Sequence, residues 1–143
     1  MFKKVANVVI AVNSVQEVAK LFADNFDLKA VDIHVNEKSG VKSALIPIGD
    51  ALIELVEPIK AGEGPVANFL KTKGEGLYML DVEVDDVNKA AADLTKRGVR
   101  LVGADPESLK KAGQFFIHPK SSRGLLMQVV PKGLVERAIH PKK

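Results

Sequence analysis

Apolar positions along this chain switch between strand-like and helix-like spacing in an order that runs twice. Val5 to Val12 is a β-branched, apolar run of the kind a buried strand requires. Ser14 then offers a helix N-cap, and Val15, Val18, Ala19 and Phe22 recur at helical spacing until Asn25 to Leu28 breaks the pattern. Ala30 to Val35, Val41 to Ile48 and Ala51 to Val56 read as strands, the last two joined by the hairpin signal Gly49-Asp50. Lys60 to Pro65 reads as a linker into a short helix, Val66 to Lys71. The order then restarts: Leu77 to Val84 as a strand, a helix from Val87 to Arg97 capped by Asp85 or Asp86 and stopped by Gly98, then strands at Val99 to Val102, Gln114 to Ile117 and Leu125 to Val130.

A true internal repeat superimposes apolar positions at one fixed offset. At an offset of 72, Val12 falls on Val84, Val15 on Val87, Ala19 on Ala91 and Phe22 on Leu94. At 74, Leu52-Ile53-Glu54-Leu55-Val56 falls on Leu126-Met127-Gln128-Val129-Val130, and the two extra residues fit in a loop. The fold class is therefore α+β: two tandem βαβββ modules, at about 5–58 and 77–131, forming a curved eight-stranded mixed sheet with helices on its outer face. A linker helix at about 65–72 joins them, residues 132–143 form a tail, and the whole of 1–143 is one domain. Strand side chains alternate between faces. Val8, Ile10 and Val12 suit the helix side with Leu80, Val82 and Val84, which leaves Asn7, Val9, Ala11, Met79, Asp81 and Glu83 on the concave side, joined by Glu54 and Gln128. Tyr78 is expected to face away from Met79, against a helix or a dimer partner.

Composition narrows the classes. With 46% hydrophobic and 27% charged residues the chain is globular, and no apolar run approaches the length of a membrane span, so a cytoplasmic protein without a membrane partner is expected. The absence of cysteine removes disulfides and thiolate ligands or nucleophiles. A net charge of +3, drawn partly from Lys132, Lys142 and Lys143, and a lack of tryptophan give no stacking platform or basic stripe for nucleic acid.

Several segments together carry a likeness: Val8-Val9-Ile10-Ala11-Val12, Gly49 to Pro58, Gly74-Glu75-Gly76, Val82-Glu83-Val84-Asp85-Asp86-Val87 and His118-Pro119-Lys120-Ser121. In order and spacing they resemble the methylmalonyl-CoA epimerase branch of the vicinal oxygen chelate (glyoxalase/bleomycin resistance) superfamily, over about Val5 to Pro131. The resemblance implies a homodimer, a small carboxylate or acyl-CoA ligand, and a divalent ion held by a His and a Gln or Glu from each half. Those four places carry Asn7, Glu54, Met79 and Gln128, so both histidines are missing, and the position of a family base falls near Ser43. A thioether is a poor ligand for a hard divalent ion, so no metal cofactor is expected of the usual kind.

Glu54 and Asp81 are the candidate catalytic residues, because a carboxylate in an apolar strand is costly unless it is paired, metal-bound or solvated by a cavity. The bland reading of each is a surface-facing residue. Asn7, Ser43, Met79 and Gln128 are pocket residues, with Met79 as apolar lining. Asn7, Glu54, Asp81 and Gln128 together form an oxygen-rich cluster suited to a hard cation such as Mg²⁺ or Ca²⁺, or to a cationic ligand. Lys120, Ser121 and Arg123 are the candidate contacts to CoA phosphates, against the plainer reading of a solvated loop. His34, His118 and His140 read as satisfied or exposed side chains. Two functions remain: an isomerase- or lyase-like enzyme that moves a proton with Glu54 and Asp81, and a metal-free binding module of the same fold.

Overall fold

The computed structural model describes residues 1–140, so Lys142 and Lys143 and the end of the expected tail lie outside the described residues. The first module contains β1 (Lys4–Ala11), α1 (Val15–Phe26), β2 (Asp32–Asn36), β3 (Val41–Ile48) and β4 (Ala51–Pro58). After α2 (Pro65–Lys73) come β5 (Gly76–Val84), α3 (Val87–Lys96), β6 (Leu101–Val102), α4 (Pro106–Ala112), β7 (Phe115–Ile117), β8 (Met127–Pro131) and α5 (Leu134–Ile139). All eight strands hydrogen-bond in one sheet in the order β2-β3-β4-β1-β5-β8-β7-β6. Each module's first strand runs parallel to its last, β1 with β4 and β5 with β8, and the modules meet where β1 pairs antiparallel with β5.

The repeat extends to details of local chemistry. Ser14 accepts the Glu17 backbone N–H at 3.2 Å and Asp86 accepts the Lys89 backbone N–H at 3.0 Å, so equivalent N-caps start α1 and α3. Each helix then buries one stripe against the outer face of its own module. Val15 and Ala19 of α1 pack with Val12, Ala44, Ile46 and Leu55, while Ala90, Ala91 and Leu94 of α3 pack with Val82, Val84, Phe115 and Val129. Phe115 is 1% exposed in the second of these clusters. Phe115→Ala is expected to cost about 3–5 kcal/mol of stability through lost burial and the cavity left behind, read as a lower urea midpoint at unchanged slope.

Two helices sit on the concave face instead. Val66 and Phe69 of α2 pack on Val9, Ala11, Val41 and Val56, and Leu134 and Val135 of α5 pack on Ala6, Leu52 and Val130. The beginning of the expected tail is therefore a helix that closes over the sheet. The sequence pattern also leaves α4 unpredicted, although Asp105 caps it by accepting the Ser108 backbone N–H at 2.9 Å and Gly113 ends it in the left-handed region. Among the described residues no helix is long and apolar enough to cross a membrane.

Candidate functional site

Register sets which side chains converge. Asn7 lies opposite Asp81 across the β1–β5 seam, Asp81 opposite Gln128, and Val9 lies between Glu54 and Met79. All six line one cavity of about 430 Å³ between α2 and α5, within the size range of small-molecule sites. The four places singled out by resemblance, Asn7, Glu54, Met79 and Gln128, are thus brought together with Asp81. Ser43 lies beside them on the same face, 1% exposed, where its hydroxyl favours the ionised Glu54 carboxyl, and is not part of the lining.

Two bulges interrupt the seam, one at Ala6 in β1 and one at Tyr78 in β5. They stand 72 residues apart, so they too belong to the repeat. A bulge lets two successive side chains share a face. This corrects the expectation for Tyr78: it lines the cavity together with Met79, and its ring meets Phe69 of α2 edge to face at 5.2 Å.

The electrostatics follow from burial. Asp81 is 3% exposed, and loss of hydration raises its carboxyl from the ordinary 3.8 to about 7. The negative charge of Glu54 adds to the rise, while a hydrogen bond donated by the Asn7 amide at 2.8 Å opposes it. Glu54 is also raised by burial, opposed by the Ser43 hydroxyl and by the charge of His34. The two carboxyls therefore feel each other inside one cavity. Asn7 Oδ1 and Asp81 Oδ1 are buried with no hydrogen-bond partner.

His34 is among the lining residues that sequence reasoning passed over, with Asn36, Gln114 and Phe116. It sits opposite Ser43 on the edge strand β2 and holds Asp32 at 2.8 Å, and only the pairing of β2 with β3 aims it at the cavity. The candidate CoA contacts lie outside this lining. Lys120, Ser121 and Arg123 do not line the cavity: Pro119–Ser121 forms a 3₁₀ turn, and the Ser121 hydroxyl accepts the Arg100 backbone N–H at 2.9 Å. Glu83, also expected on the concave face, is buried on β5 outside the lining.

The donor set does not fit a transition ion. Two amide side chains, one carboxylate and a thioether occupy the four family positions, and among the described residues no group of three His, Asp or Glu side chains is placed to hold a metal. No chemical step is derived through one.

Residues 7–117 match the Glyoxalase/Bleomycin resistance protein/Dioxygenase superfamily. Similar proteins include the mitochondrial methylmalonyl-CoA epimerases of Mus musculus, 25% identical over 126 residues (86% of this chain, 70% of that protein), and of Dictyostelium discoideum, 29% identical over 132 residues (90% and 78%). Among solved structures, a hypothetical protein from Bacillus halodurans aligns at TM-score 0.82 and 30% identity, covering 90% of this chain and 94% of that one. A methylmalonyl-CoA epimerase in complex with methylmalonyl-CoA and NH₄⁺ aligns at TM-score 0.83 and 25% identity, covering 94% and 98%.

Proposed function

This chain belongs to the Glyoxalase/Bleomycin resistance protein/Dioxygenase superfamily, and on that premise we propose that it is an isomerase-type enzyme that moves the proton α to an acyl thioester. The supporting observation is the pairing of Glu54 and Asp81 in one cavity, where burial raises both carboxyls and the charge of Glu54 also holds the proton on Asp81. A carboxylate whose charge keeps its neighbour protonated supplies a base beside an acid. Glu54, with the Ser43 hydroxyl and the His34 charge favouring its ionised form, is the base. Asp81, which keeps its proton to about pH 7, is the acid.

In this scheme the α C–H bond breaks, its proton goes to Glu54, and the electron pair moves into the thioester carbonyl to give an enolate. Asp81 then delivers its proton to the opposite side of the α-carbon as the carbonyl re-forms. Glu54 and Asp81 lie on strands separated by β1, so their backbones stand about 10 Å apart laterally, which leaves room for a substrate carbon between the side chains. The amide of Gln128 supplies N–H donors for the enolate oxygen.

The test is incubation with propionyl-CoA and with methylmalonyl-CoA, the ligand of the similar epimerase structure, in deuterated water. Deuterium is expected at the α-carbon of at least one thioester, at a rate unchanged by a chelator. No uptake from either, at enzyme concentrations near that of the substrate, would contradict the reading.

A further inference from the structure

The polarity of the cavity points away from an anionic acyl group. Asn7 is 5% exposed and Asp81 3%, both line the cavity, and each holds one buried oxygen that lacks any protein hydrogen-bond partner. Buried acceptors of this kind are costly to leave unmade. Glu54 and the Gln128 amide add further oxygens to the same wall. Among the described residues neither Lys nor Arg lines the cavity, and the one cation-capable side chain there, His34, has its Nδ1 2.8 Å from the Asp32 carboxylate. A carboxylate entering here would meet two acidic groups and no strong positive partner. The remaining walls include Val9, Leu52, Val56, Met79 and Phe116, which call for a carbon skeleton, and Tyr78 and Phe116 offer ring faces.

We infer that the cavity is a site for a small organic ammonium group, hydrogen-bonded by Asn7 Oδ1 and Asp81 Oδ1 and neutralised by the Glu54 carboxylate, with its hydrocarbon part against the apolar wall. An ammonium group has three N–H donors, enough to serve both unpartnered oxygens and the Glu54 carboxylate at once. A bare hard ion would take the same oxygens but would leave most of about 430 Å³ of largely apolar space unfilled. Joined to the proton-transfer reading, on which this step alone rests, the substrate is an acyl thioester whose acyl group carries an amine.

Three probes of the full chain decide the matter: isobutylammonium chloride, sodium isobutyrate and manganese chloride, each followed by thermal shift and calorimetry. Isobutylammonium is expected to raise the melting temperature and to bind at least tenfold tighter than isobutyrate. Its affinity should fall at least tenfold in Asp81→Asn and in Glu54→Gln, both nearly isosteric and both checked for native circular dichroism. Tighter binding of isobutyrate, stabilisation by manganese without stabilisation by the amine, or equal amine binding to both variants would each overturn the inference. A separate arm compares deuterium uptake by 3-aminopropionyl-CoA and propionyl-CoA. Amine binding without uptake from either thioester leaves the ammonium site standing and sinks the proton-transfer reading, whereas uptake from propionyl-CoA without amine binding does the reverse.

Discussion

Glu54→Gln is expected to slow α-proton exchange by about 100- to 10,000-fold, the usual contribution of a positioned general base. Glutamine keeps the length and hydrogen-bonding reach of the side chain, so the Ser43 contact and the packing around β4 should survive. What is lost is the basic oxygen. Because Glu54 opposes ionisation of Asp81, the substitution also removes a negative charge from Asp81's surroundings. The measurement is the initial rate of deuterium uptake under saturating thioester, with the melting temperature as control. An unchanged rate in a folded variant would remove Glu54 from the mechanism.

The second large effect concerns stability and has the opposite sign from the first. In the folded protein Asp81 holds its proton to about 7, whereas in the unfolded chain it releases it near 3.8. Between those values the native state binds more protons, so the contribution of this group to stability is fully present at the acid end and is lost as pH rises through the window. At 1.36 kcal/mol per pKa unit the loss is roughly 4 kcal/mol at most. Asp81→Asn cannot ionise and can still accept from the Asn7 amide. The variant is therefore expected to be more stable than the parent at about pH 8, by as much as a few kcal/mol, with the difference shrinking toward about pH 5. Urea denaturation at the two pH values measures it. A variant less stable at both would mean that the Asp81 carboxylate is a favourable part of the native state, contrary to its burial. Gain of stability with loss of exchange is the trade expected where a strained group serves function.

The repeat was legible because each module buries a row of apolar side chains on its own helix, and such rows survive as a fixed offset, down to the paired caps Ser14 and Asp86. The convergence of Asn7, Glu54, Asp81 and Gln128 was legible for a related reason: alternation in a half-buried strand leaves a polar residue only one face to occupy. Tyr78 escaped because a bulge is an event of strand pairing, invisible in the pattern of a single strand. His34 escaped similarly, since its aim depends on the register of β2 against β3. The helix α4 has a capping signature at Asp105 and Gly113 but no buried residue, so there was no apolar period to announce it. For Lys120, Ser121 and Arg123 the resemblance implied a loop bordering the ligand cavity; these residues stand outside the cavity lining, in and beside a 3₁₀ turn.

Two carboxyl groups, one from each module, face a shared hollow, and the charge of Glu54 raises Asp81. Carbon-13 NMR titration of the labelled aspartate and glutamate side chains observes this directly. Asp81 should titrate close to 7 in the parent protein and at a distinctly lower pH in Glu54→Gln. Titration near the ordinary 3.8 in both proteins would contradict the claim, because the group would then be neither desolvated nor coupled to its neighbour.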